Sequence, residues 1–173
     1  MRPELKYGLI AGLSMSLWLL LEFLLGLHGQ HIEISAYTNW GTESILIVTL
    51  WFFLRHKLTT PYRYWLPVWQ GLLFGMLTGL IAGMVTYIYY SFYLQYLNPE
   101  WPDLYINWQV AQLRAEPISE EKVLVFARSF RWSVTPLGLV THIIGLNTLL
   151  GGLVSCVLTL WLNWRNKEPV QLR

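Results

Sequence analysis

The stretch GLLFGMLTGLIAGMV, Gly71 to Val85, carries a glycine at every fourth position: Gly71, Gly75, Gly79 and Gly83. An α-helix turns once per about 3.6 residues, so these four lie along one slowly drifting stripe. The residues between them are apolar apart from Thr78. In water such a helix is poor, because each interior glycine costs about 1 kcal/mol against alanine. In lipid the backbone has no solvent partner and stays helical regardless. There the stripe becomes a shallow groove that lets a second helix approach closely. The stretch predicts the central helix of a membrane bundle, with a glycine zipper as its packing face.

Composition agrees. Of 173 residues, 54% are hydrophobic and only 13% charged, which places the chain in the membrane class. Ten Trp and ten Tyr suit the aromatic belts of membrane interfaces. A net charge of +2, without a basic run, gives no footing for nucleic acid. The single cysteine, Cys156, has no internal partner and lies in an apolar segment, where it reads as a small hydrophobe. The apolar run near the N-terminus is too long for a signal-peptide core, so it is expected to stay as a transmembrane helix.

Apolar length and punctuation place four spans, at about 5–27, 36–54, 67–97 and 136–163, in a single membrane domain covering 1–173. Gly8 and Gly12 repeat the small-residue spacing in the first span, so that helix also has a close-packing face. The third run is longer than the hydrocarbon core requires; it ends in a tyrosine-rich stretch stopped by Pro99. Residues 98–135 form the one long polar segment. In it, Pro102 and Asp103 open a short helix through Ala115, Pro117 breaks it, and Ser119 caps a second helix. Thr135 and Pro136 open the last span. The expected fold is therefore all-α: a four-helix transmembrane bundle with one or two short extracytoplasmic helices between spans three and four.

Positive charge sets the orientation. Arg2 and Lys6, then Arg55, Lys57 and Arg63, then Arg165, Lys167 and Arg173 fall on one side. The first opposite loop has no Lys or Arg, and the second spreads four of them among five acids. The positive-inside rule puts both termini in the cytoplasm, across a bacterial cytoplasmic (inner) membrane. A faint echo links VTLWFFLR (Val48 to Arg55) with LTLWLNWR (Leu158 to Arg165), and GLIAGL (Gly8 to Leu13) with GLLFGM (Gly71 to Met76). It suggests two related helical hairpins.

The opening KYGLIAGL, the glycine-spaced third span, the run YIYYSFYLQYLNPEW and a later ISEEK together resemble one family across nearly the whole chain. It is the bacterial family called domain of unknown function forty-one ninety-nine, frequent in Bacteroidota. The resemblance implies a small multi-pass membrane protein. It carries over no catalytic residue.

Three ionisable groups fall inside the spans: Glu22, Glu43 and His142. Charges at membrane depth are expensive and often mark a path or a site. At about 1.5 Å per residue they lie roughly 8, 10 and 9 Å below the outer surface, and Tyr87 and Tyr90 reach the same level. If they face inward, they form a polar layer in which two carboxylates repel, unless one holds a proton or His142 is protonated between them. That layer is the candidate ligand or proton site. His28, His31 and Glu33 form H-x-x-H-x-E in an outer loop, a spacing that matches no zinc motif, so no metal and no cofactor is expected. There is no G-x-S-x-G, the only aspartate is Asp103, and no phosphate-binding glycine loop appears. The expectation is a non-enzymatic structural or accessory membrane protein. Its partner is the lipid bilayer, with a homo-oligomer or a membrane-protein partner docking on glycine faces. The alternative is a small proton-coupled transporter or ligand-binding protein that uses the polar layer.

Overall fold

The computed structural model describes residues 2–38, 40–59 and 65–166. Readings that rest on Pro61, Tyr62, Arg63, Tyr64, Lys167 and Arg173 lie outside the described residues. All regular structure among the described residues is helical, without strands. The order is α1 (Pro3–Leu24), α2 (Ile32–Thr38), α3 (Trp40–Thr59), α4 (Val68–Phe92) with a π-helical turn (Tyr93–Leu97), α5 (Trp101–Ala115) and α6 (Glu120–Ser133). Then α7 (Pro136–Leu139), a second π-helical turn (Val140–Gly145) and α8 (Leu146–Arg165) follow end to end. Three helical stretches are long and apolar enough to cross a membrane: Pro3–Leu24, Val68–Leu97 and Pro136–Arg165.

The glycines fix the helix directions. A Cβ on Gly8 would lie 2.7 Å from Ile81 Cβ, and one on Gly12 would lie 2.6 Å from Val85 Cβ. Numbers rise together, so α1 and α4 run parallel. On the other face of α4, a Cβ at Gly71 would strike Thr159, one at Gly75 would strike Ser155 and the Gly151 carbonyl, and one at Gly79 would strike the Asn147 carbonyl. A Cβ at Gly83 would come within 2.9 Å of Ile144 Cα. Numbers fall as they rise on α4, so α8 is antiparallel. Helix α3 is antiparallel to α1: Lys57 Nζ meets Glu4 Oε1 at 2.7 Å near one end, and Gly41 lies under the Trp18 indole near the other. Helix α4 is thus held between α1 and α8, and α3 closes the remaining side against α1 and α8.

The directions fit two hairpins, α1–α3 and α4–α8. The glycine contacts do not repeat between them: Gly8 and Gly12 face the opposite hairpin, whereas Gly71 and Gly75 face their own.

The outside is apolar. Ile10, Leu13, Leu17, Leu21 and Leu24 form an exposed stripe on α1, and Leu149, Leu153, Val157 and Leu160 form one on α8. Inside, Leu46, Leu50, Phe53 and Leu54 of α3 form an apolar core, and between α4 and α8 the small and weakly polar Thr78, Thr86, Ser155 and Thr159 are buried beside the glycines. The apolar stripes on the outside are compatible with lipid contact.

Several boundaries differ from expectation. The first span stops at Leu24, short of 27, because Gly26 takes φ +74°. Leu27 N–H then donates to Glu22 O at 3.0 Å and Gly26 N–H to Phe23 O at 3.0 Å, the Schellman closure. The expected second span, 36–54, corresponds to α3, which starts at Trp40 after a separate short helix α2, runs on to Thr59 and is not among the three helices long and apolar enough to cross. Glu43 therefore sits in the first turn of α3, about 5 Å along the helix rather than about 10. Ser119 occupies the N-cap of α6 but makes no side-chain capping bond. Thr135 does cap α7, accepting from Gly138 N–H at 3.1 Å.

Candidate functional site

The left-handed Gly26 and both π-helical turns lie toward one end of the bundle. The Schellman turn at Gly26 folds Leu27 and His28 back over the end of α1, and His28 is only 5% exposed. Beneath it lies Glu22, 2% exposed. His28 Nε2 stands 3.5 Å from Glu22 Oε2, and Trp18 Nε1–H donates to Glu22 Oε1 at 2.9 Å. On its other side, His28 Nδ1 is 2.7 Å from the Tyr93 hydroxyl. That hydroxyl accepts from Asn98 Nδ2 at 2.9 Å. Tyr93 and Asn98 bracket the π-helical turn that ends α4. In the tautomer that accepts the Tyr93 O–H at Nδ1, the His28 proton is on Nε2, facing the carboxylate. One polar chain, Asn98–Tyr93–His28–Glu22–Trp18, ties α1, its turn and α4 together.

A cavity of about 320 Å³ lies beside this chain. Its floor comes from the helices: Met15 and Leu19 of α1, Thr42 and Glu43 of α3, Thr86 and Tyr90 of α4. One wall is the second π-helical turn and the start of α8, with His142, Ile143 and Asn147. The roof is the α5–α6 hairpin, through Trp101, Tyr105 and Phe130, and His28 closes the inner corner. The second π-helical turn gives His142 and Ile143 to the lining, and the first carries Tyr93 of the polar chain; such turns widen a helix and often accompany functional sites. Burial raises the Tyr105 phenol above its ordinary pKa, so the ring stays neutral. Trp101 Nε1–H and Glu22 Oε2 are buried with no hydrogen-bond partner among the described residues.

The five residues of the expected polar layer are therefore divided. Glu43, Tyr90 and His142 share the cavity lining. Glu22 is off the lining, set behind His28, and its imidazole partner is His28 rather than His142. Tyr87 is also off the lining: Thr86 and Tyr90, four residues apart, share a helix face, whereas Tyr87 is turned about 100° from Thr86.

His28 parts from the other two residues of H-x-x-H-x-E. His31 and Glu33 are exposed while His28 is buried, and the described residues contain no group of three potential metal ligands. The signal was present in FLLGLHG: an apolar helix end, a glycine able to adopt positive φ, then an apolar residue, the sequence mark of a Schellman turn.

A family model described as Protein of unknown function (DUF4199) matches residues 6–163. The chain belongs to that family. The DUF4199 region runs from Lys6 in α1 to Asn163 in the last turn of α8, so it includes every residue of the cavity lining. No curated protein and no solved structure matches the chain.

Proposed function

We propose that this DUF4199 chain is a multi-pass integral membrane protein that holds a small molecule in the cavity under the α5–α6 hairpin. It acts as a binding or accessory component rather than an enzyme. The observation that carries the reading is the convergence of Glu43, Tyr90 and His142 from three separate helices on one cavity. Pockets of a few hundred Å³, apolar with a few convergent polar groups, are the usual form of small-ligand sites between helices. Ser133, the serine on the lining, donates its hydroxyl to the Phe130 carbonyl at 2.7 Å, an arrangement that supports a positioning role over a nucleophilic one.

The helix directions support four crossings. Helices α1 and α4 run parallel, so if both cross, the chain between them must return, and α3 is the helix that does so. Its hydropathy is reduced by Glu43 at one end and Arg55, His56 and Lys57 at the other. Those ends lie at the interfaces, where charge is tolerated. Arg2, Lys6, Arg55, Lys57 and Arg165 share one end of the bundle, which supports cytoplasmic termini, an inner membrane and an extracytoplasmic α5–α6 hairpin. The glycine faces are occupied inside the chain, so a homo-oligomer or membrane-protein partner would meet the exposed leucine stripes instead.

The test is a thermal-shift screen of the purified protein in mild detergent against a library containing cations, anions and neutral compounds. Leu146→Trp, which fills the cavity from an exposed lining position, serves as the blocked control. Hits that stabilise the wild type and fail on the variant support a ligand pocket. A library in which both proteins respond alike overturns it.

A further inference from the structure

Among the described residues of the cavity lining, Glu43 is the one carboxylate, Lys and Arg are absent, and His28 and His142 are the two imidazoles. Thr42 Oγ1–H donates to Glu43 Oε2 at 2.9 Å, but no ion pair among the described residues reaches this carboxylate. A second carboxylate, Glu22, stands just behind His28. The roof carries a cluster of aromatic rings, which Tyr90 of the floor joins. Tyr105 stacks on Phe130 with centroids 4.9 Å apart and on Trp101 at 5.4 Å. Tyr90 meets Trp101 edge-on at 5.9 Å and 88°. Aromatic faces carry the negative end of the ring quadrupole and attract cations within about 6 Å of the centroid. Leu139, Ile143 and Leu150 complete an apolar remainder. Glu43 is half-buried in the first turn of α3, where its charge is tolerated; across an apolar cavity that charge attracts a cation and repels an anion with less screening than in bulk water.

We propose that the cavity binds a monovalent organic cation, a protonated or quaternary amine on an apolar body, with Glu43 as counter-ion and Tyr90, Trp101, Tyr105 and Phe130 as the aromatic wall. This rests on the cavity being a ligand pocket and adds the class of ligand.

Three probes of similar size separate the charges: benzyltrimethylammonium, phenylmethanesulfonate and benzyl alcohol. Each is titrated into the purified full-length protein in mild detergent at pH 8, above the ordinary imidazole range, and followed by calorimetry. The expected result is saturable binding of benzyltrimethylammonium, at least tenfold tighter than either other probe. Glu43→Gln weakens it tenfold or more, Glu43→Asp by less, and Tyr105→Leu about threefold or more. Absence of saturable cation binding overturns the inference, as does an equal affinity for the sulfonate, or a Glu43→Gln affinity within twofold of wild type. The comparison of probes needs only the wild type, so it decides between the charges even where a variant fails to fold. If the sulfonate or the alcohol binds instead and Leu146→Trp abolishes it, the cation inference falls while the ligand pocket stands.

Discussion

Asn163 and Leu66, 97 residues apart, exchange two buried hydrogen bonds: the Leu66 amide donates to Asn163 Oδ1 at 3.1 Å, and Asn163 Nδ2 donates to the Leu66 carbonyl at 2.7 Å. Leu66 has no exposed surface and precedes Pro67, which supplies no N–H of its own. The last turn of α8 thereby satisfies the backbone at the entrance to α4. Asn163→Leu strands both backbone groups, and each buried orphan costs about 1–3 kcal/mol. A fall in melting temperature is expected by circular dichroism in detergent, with a smaller fall for Asn163→Gln. An unchanged melting temperature would show that other groups hold the α4 entrance.

The α4–α8 approach makes a second contrast. Gly75→Ala drives a methyl into the Gly151 carbonyl and Ser155, and overpacking of this kind costs about 1–3 kcal/mol. Gly145→Ala adds a methyl with nothing within 4 Å. Helix propensity alone then leaves stability level or raises it by up to about 1 kcal/mol. Equal shifts of melting temperature for the two variants would refute the close approach.

At Gly26, φ is +74°, and a side chain in left-handed backbone costs about 1–2 kcal/mol. Gly26→Ala is expected to lower stability by that amount and to displace His28 from Glu22. The loss should not add fully to that of His28→Ala, because the two act through one contact. A double-mutant cycle on melting temperature measures this, and strict additivity would break the link between turn and imidazole.

The α5–α6 hairpin carries a pH-dependent pair outside the spans. Arg114 Nε–H donates to Glu120 Oε2 at 3.2 Å, and Arg114 Nη2 pairs with the other oxygen. The hydrogen bond from Arg114 holds the Glu120 carboxyl below its ordinary 4.5. A depressed carboxyl stabilises the fold above the unfolded value and loses that effect as pH falls through the folded one. Amide exchange near Glu116–Ile118 should therefore quicken as pH drops below about 4.5 relative to Glu120→Gln, after correction for intrinsic rates. The same Arg114 pairing raises the guanidinium further, and that contribution is lost only at extreme alkaline pH. Parallel profiles for wild type and Glu120→Gln would remove the pair from any role in the hairpin.

Topology is open to direct labelling. In a Cys156→Ala background, Ser119→Cys at the hairpin turn should react with a membrane-impermeant maleimide added to intact cells. Thr59→Cys should react only after lysis. The reverse pattern would invert the orientation.

The glycine period at 71–83 and the apolar runs were legible in the sequence because they are local. Helix period, stripe and solvent preference follow from residue type and spacing alone. So did the broken polar segment, whose two helices at Trp101–Ala115 and Glu120–Ser133 match the Pro102, Pro117 and Ser119 signals. The polar layer was legible only as a depth, and for Glu43 that depth was overestimated because α3 begins at Trp40. Depth follows from counting residues, but the direction a side chain faces depends on which helix packs beside it. Tertiary structure therefore decided that Glu43, Tyr90 and His142 share a cavity, that Tyr87 does not, and that Glu22 is answered by His28. The His28 contact needs both a local feature, the chain reversal at Gly26, and a distant one, the Tyr93 hydroxyl of α4, while the cavity needs His142 on the second π-helical turn to meet Glu43 and Tyr90. The reversal is written in a short stretch, but which helices come to lie beside it is decided only when the chain packs, because a residue's spacing fixes its face and not its neighbour.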